Sequence, residues 1–381
     1  MKTLVLTLAL VVLTAPVSAQ RRRLTAINAE TPEGKLLQSI GQESDPAKKI
    51  ALLEQFTTEF PQHEAVGWVY SQVQPLYTST GNPDKAIEIG EKLLEQDAND
   101  LEAAYGNLKA AEAKKDPDGV LKWAVATSEI ARKLPESQKP EDMEEEAWKN
   151  SLDYAKQVDT YTEYALYATA LQTADPQKSM LLAETLAQRS PDSQYVPQVL
   201  GRYAGAAGQL KAMDKAVVLG EAAFARNQFN EDMLLAMADY YMQQKKQQEK
   251  ALLYANKAAE VLESKPKPDG MEAADWEKKK NSSLGLAQWM AGVTYSGQNK
   301  FAEANKSLRA ALPLVDSNDQ LKAAALFHLG LVNYKMGQKS RNKGQIADAV
   351  KFSQQSAAIK GPYQAQARKN LAVIKAEFGV R

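Results

Sequence analysis

The residues able to do chemistry are sparse in this sequence, and they point away from catalysis. The two histidines, His63 and His328, stand 265 positions apart. Neither has a second histidine three or four places on, so no pair of imidazoles shares a helix face and no histidine-based metal site is written. Cysteine is absent, which removes disulfides, thiolate metal sites and cysteine nucleophiles together. Glu141, Asp142, Glu144, Glu145 and Glu146 carry enough charge for a calcium ion. Consecutive helical positions point to different sides, however, and acidic residues are favoured at the start of a helix by its dipole, so they read as a solvated helix start. No nucleophile elbow, phosphate loop or dinucleotide fingerprint occurs; Gly205, Gly208, Gly330 and Gly337 read as helix-packing and helix-ending glycines. The expectation is a protein with no catalytic set, no cofactor and no metal. What remains is recognition chemistry: Tyr154, Tyr161, Tyr164 and Tyr167, at spacings of 7, 3 and 3, fall on one side of a helix as either a core stripe or a binding groove.

The elements that position such residues are helices throughout. Ala, Leu, Lys, Glu and Gln recur with a period near 3.6, and runs of alternating β-branched residues are few. Four starts share one form, a capping Asn or Asp followed by proline: Asp45-Pro46, Asn82-Pro83, Asp116-Pro117 and Asp175-Pro176. Eight positions, Lys49, Ala86, Val120, Ser179, Ala216, Ala251, Ala304 and Ala349, follow one another at 37, 34, 59, 37, 35, 53 and 45 residues. All but Lys49 are small or slender, as close helix packing requires. Four spacings give a repeat near 34 and three contain insertions, placed near 134–150, 262–283 and 338–345. The count is about eight helix pairs, the first from near Thr31, with a closing helix from about Gln364 to Phe378. Two insertions match: Lys139-Pro140-x2-Met143-Glu144-x3-Trp148 and Lys267-Pro268-x2-Met271-Glu272-x3-Trp276 repeat at identical spacing 128 residues apart. Such a match indicates duplication of a block of helix pairs, with each Met-Glu segment opening a long helix and the two tryptophans as buried equivalents. The third, Gln338 to Gln345, reads as a polar surface loop.

Near the C-terminal end one pattern is written twice. Ala291-Gly292-x2-Tyr295 precedes Lys300-Phe301-x2-Ala304, and Leu329-Gly330-x3-Tyr334-x2-Gly337 precedes Ala349. This resembles the tetratricopeptide repeat, a two-helix unit of 34 residues. The resemblance implies an all-α fold, a right-handed α-α superhelix of stacked helix pairs that presents a concave groove to a protein or peptide partner. It also implies groove residues on the first helix of each pair: Leu286, Trp289, Val293 and Ser296 in one repeat, and Ala324, Phe327, Leu331 and Tyr334 in another. Tyr161 and Tyr164 join them as groove candidates. The family's grip on a C-terminal carboxylate uses Lys, Arg and Asn at such places; the apolar residues here suit an amphipathic helix, an extended apolar peptide, or the chain's own closing helix. A groove of this kind serves an interaction scaffold; alternatives are a solenoid that binds an envelope glycan and the helical domain of an enzyme complex.

Residues 1–19 read as a secretory signal peptide, with Lys2, an apolar run from Leu4 to Leu13 and Val17-Ser18-Ala19 as the cleavage site. An apolar run this short falls well below the roughly 20 residues a bilayer demands, so no transmembrane segment is expected after its removal. The expected location is periplasmic or extracellular. Residues 20–30, with Arg21, Arg22 and Arg23, read as a flexible basic tail, and residues 31–378 as the repeat domain. The 47 basic residues balance 47 acidic ones, which leaves no positive excess to attract nucleic acid.

Overall fold

The computed structural model describes residues 28–244 and 247–379; the signal, the cleavage site and Arg21–Arg23 lie outside them. Among the described residues there are seventeen α-helices and no strand. They follow one another as eight pairs: α1 (Pro32–Gln42) and α2 (Pro46–Glu59); α3 (Val66–Ser79) and α4 (Pro83–Gln96); α5 (Leu101–Lys114) and α6 (Pro117–Lys133); α7 (Glu145–Gln172) and α8 (Pro176–Arg189). The second half holds α9 (Val196–Gln209) and α10 (Met213–Ala225); α11 (Glu231–Gln243) and α12 (Gln248–Ser264); α13 (Ala273–Gly297) and α14 (Phe301–Leu314); α15 (Asp319–Ser340) and α16 (Lys343–Ala358), closed by α17 (Gln364–Phe378). The fold is all-α, an α-α solenoid-type arrangement of helix pairs within each compact unit. It comprises two compact units, residues 28–199 and 200–379, with the boundary inside α9.

The small-residue register is what lets each pair close. Ala86, Val120, Ser179, Ala216, Ala251, Ala304 and Ala349 are all buried to 1% exposure or less. Lys49, the departure from the pattern, stays half-buried. Opposite them the glycines are needed for approach: a Cβ on Gly292 would lie 2.6 Å from Leu308, and one on Gly330 would lie 2.5 Å from the Ser353 hydroxyl. Within each unit the odd-numbered helices pack side by side, α3 on α5 and α5 on α7 in the first, α11 on α13 and α13 on α15 in the second. First helices therefore lie against first helices along part of each unit.

Three of the four predicted caps form as expected: the side chains of Asp45, Asp116 and Asp175 accept from backbone N–H groups of α2, α6 and α8. Asn82 does not cap α4; its Nδ2 donates instead to the Thr80 carbonyl at 3.3 Å. A recurring latch ties one repeat to the next. Glu54 on α2 accepts from Tyr77 on α3 and from Lys85 on α4 (2.8 Å), and Glu221 on α10 accepts from Tyr241 on α11 and Lys250 on α12, both at 2.6 Å. In each case the lysine ammonium also sits over the tyrosine ring, at 5.1 and 4.8 Å.

The matched insertions form matched straps. Lys139 Nζ donates to the Met143 carbonyl at 2.7 Å, and Lys267 Nζ donates to the Met271 carbonyl at 2.8 Å. Each strap leads into a long helix, α7 of 28 residues and α13 of 25, and Trp148 and Trp276 both donate their backbone N–H to the cap residue's carbonyl at 3.0 Å. The side chains differ. Trp276 is buried to 4% exposure, whereas Trp148 is only half-buried, so the expectation of two buried equivalents holds for one of them. The third insertion is largely not a loop: Gln338, Lys339 and Ser340 finish α15, Arg341 turns the chain at a φ of 55°, and Asn342 caps α16. Polar composition misleads there because the last turn of α15 is exposed on most sides, while Gly337 beneath it still packs on Ile346.

Candidate functional site

In the first unit the tyrosines assemble into one shelf that extends beyond α7. Tyr105 on α5 meets Tyr161 edge-on at 5.4 Å, Tyr161 leads to Tyr164 at 5.8 Å, and Tyr195, from the turn before α9, stacks on Tyr167 at 5.1 Å and meets Tyr164 at 5.8 Å. A helix advances about 100° per residue, so spacings of 7, 3 and 3 drift by roughly 140° from Tyr154 to Tyr167. The drift divides the stripe. Tyr154 packs into the Leu101–Ala131–Val158 cluster, Tyr161 is half-buried, and Tyr164 is exposed to 43%.

Polar groups fix the shelf. Lys109 donates to the Tyr161 hydroxyl and lies 4.6 Å from its ring centre, while that hydroxyl donates to Glu112 at 2.8 Å. Burial first, then the Glu112 charge, pushes the Tyr161 phenol well above its ordinary range, so it stays a protonated donor. Beside the shelf a cavity of about 320 Å³ opens between α3 and α5, bordered by Gln74, Glu102, Tyr105 and Lys109. Glu102 Oε1 is enclosed without a hydrogen-bond partner, and burial raises this carboxyl above its usual value. Among the described residues no group of three or more His, Asp or Glu is placed to hold a metal ion.

In the second unit the candidates from α13 and α15 separate into two places. Leu286, Trp289 and Ala324 line a cavity of about 520 Å³ with Pro362 and Tyr363, the residues that lead into α17. The Trp289 Nε1 is enclosed with no partner. Val293 packs on the Leu308–Leu329 core, and Leu331 and Ser296 are half-buried. Phe327 meets the Tyr363 ring at 5.2 Å, and Tyr334 donates to Glu377 and meets Phe378 edge-on at 6.3 Å. The closing helix and its lead-in therefore sit against Phe327 and Tyr334, while Trp289 faces the cavity.

His328 lies beside this cavity, its ring 6.1 Å from Tyr363, with Nδ1 enclosed and unpartnered. Burial lowers its pKa from 6.5 to about 4. The unfolded chain then binds more protons than the folded one between these values, so the contribution is complete above pH 6.5 and is lost as pH falls toward 4. About 2 kcal/mol should disappear between pH 7 and pH 5. The parent should lose that amount of stability relative to His328→Leu on acidification, whichever of the two is the more stable at pH 7; parallel curves would show a solvated histidine.

Tyr105, Tyr195, Lys109 and Glu112 were not among the sequence candidates. Tyr105 and Tyr195 lie on other elements and join the shelf only through packing, whereas the spacing of Lys109 and Glu112, three apart on α5, was a legible pairing signal. No protein-family model matches the chain, and no curated protein matches it. Solved structures do align with it. The crystal structure of the P58(IPK) TPR domain matches at 12% identity and a TM-score of 0.26, covering 91% of this chain and 98% of that one. A structure of Naa15/Naa10 bound to HypK-THB matches at 14% identity and a TM-score of 0.20, covering 92% of this chain and 61% of that one. Scores this low add nothing to the fold evident from the helix pairs themselves.

Proposed function

We propose that this protein is a non-enzymatic interaction scaffold, exported to the periplasm or the cell exterior, whose first helices hold a segment of a protein partner. The observation that carries the reading is the tyrosine shelf. Tyr164 is exposed at its centre, and its neighbours are locked by ring packing and by the Lys109–Tyr161–Glu112 bonds. Rigid tyrosines lose little rotamer freedom on binding and combine a large apolar face with a hydroxyl, which is why such residues dominate interface centres. An apolar or amphipathic peptide segment matches this surface better than an acidic tail does, since Lys109 is already engaged by Glu112.

Tyr164→Ala should reduce capture of the partner from a cell-envelope extract by roughly tenfold or more, the loss typical of a central aromatic anchor. The melting temperature should fall by only a few degrees, because the side chain is 43% exposed and lies outside the core. Undiminished capture of every parent-bound protein would remove the shelf from the binding surface. The exposed ring of Tyr164 also suits stacking on a sugar; saturable heat release on titration with envelope polysaccharide would favour that second reading.

A further inference from the structure

The two straps share one lysine–carbonyl closure but differ in length, and the difference opens a cavity. Between the end of α6 and Lys139 lie five residues, 134–138; between the end of α12 and Lys267 lie two, 265–266. The three additional residues allow a 3-10 turn, Leu134–Glu136. Beneath it is a cavity of about 360 Å³, whose walls include Leu101, Leu134, Pro140 and the half-buried Trp148.

The second copy shows the same place closed. Glu231, first residue of α11, stands where Leu101 begins α5, and Lys265, first after α12, stands where Leu134 follows α6. Lys265 Nζ reaches both Glu231 carboxylate oxygens at 2.7 Å, and Trp276 is sealed in to 4% exposure. The duplicated block is thus its own control: the same strap over an ion pair is packed shut, and over two leucines with a longer span it is open.

We propose that the cavity under the first strap is a small-molecule site for a ring-sized apolar group that carries an ammonium, independent of the scaffold reading. Its volume lies in the range of such sites. The apolar walls and the Trp148 indole take the ring. Asp97 and Glu136 line the cavity against the single ammonium of Lys133, so the bordering charge favours a cation over an anion, and an indole face adds cation–π attraction.

The test uses the full chain with its five tryptophan indoles labelled with ¹⁵N, the Trp148 and Trp276 signals being assigned through Trp→Phe substitutions. Phenethylamine should shift the Trp148 signal saturably, with a Kd on the order of 1 mM for so small a ligand, and leave Trp276 in place. 3-Phenylpropionate should bind at least roughly tenfold more weakly, since a like charge replaces an opposite one. The double substitution Leu101→Glu with Leu134→Lys, which installs the second copy's pair, should abolish the response. The unsubstituted chain decides the matter even if that variant fails to fold. An absent or unsaturable Trp148 shift, an equal shift at Trp276, or equal binding of the carboxylate would each overturn the proposal.

Discussion

Trp276→Ala should lower stability by about 3–5 kcal/mol, the usual loss when a large buried aromatic leaves a cavity that its surroundings cannot close. The same truncation at Trp148 should cost only about 1–2 kcal/mol, because that indole already borders open space and gives up fewer contacts. Denaturant midpoints at constant slope measure both. Equal losses would mean that the two straps pack alike and that the length difference between them has no structural weight.

The second large effect lies in the ion pair of the second strap. The Glu231 side chain is 3% exposed and Lys265 is 32% exposed. Lys265→Leu should cost about 2–4 kcal/mol: it strands a carboxylate in a desolvated place, and the partial exposure of the lysine keeps the loss below that of a fully buried pair. The double substitution Glu231→Leu with Lys265→Leu reproduces the two leucines of the first strap, which belong to one apolar cluster. It should recover most of the loss, because replacing a buried pair by apolar residues removes the desolvation penalty along with the attraction. Additive destabilisation in that cycle would show that the two side chains do not act as a unit.

How much of this was legible depended on range along the chain. The helix pairs could be read because their determinants are local: a cap and proline mark a start, and a small residue at a fixed register marks a close approach. Even the straps were legible as a duplication, since Lys-Pro, Met-Glu and Trp recur in register. The unequal fate of the two tryptophans was harder to see, although its cause is written upstream in five residues against two. What those residues do depends on whether Leu101 or Glu231 lies beneath, and these come from another helix. The groove candidates divided for the same reason. Trp289, Phe327 and Tyr334 share a register on α13 and α15, but the partners Tyr363, Glu377 and Phe378 belong to the C-terminal segment. The tyrosine stripe was visible on α7, yet its angular drift decides which ring is core and which is surface. The third insertion has a loop's polarity without a loop's backbone, because an exposed helical turn satisfies its own hydrogen bonds.

The lysine–carbonyl closures bear on the order of events as the chain folds. Each closes a separation of only four positions, Lys139 to Met143 and Lys267 to Met271. Closing even a 10-residue loop takes on the order of 10–100 ns, far less than docking one helix pair on another. A strap can thus form its bend before any distant helix is in place, just ahead of α7 and α13, where starting a helix fixes several residues for one hydrogen bond. The longest helices of the duplicated block then have their origin and direction set locally, and the search left to the chain is a sequence of short-range encounters, the regime in which helical proteins fold fast.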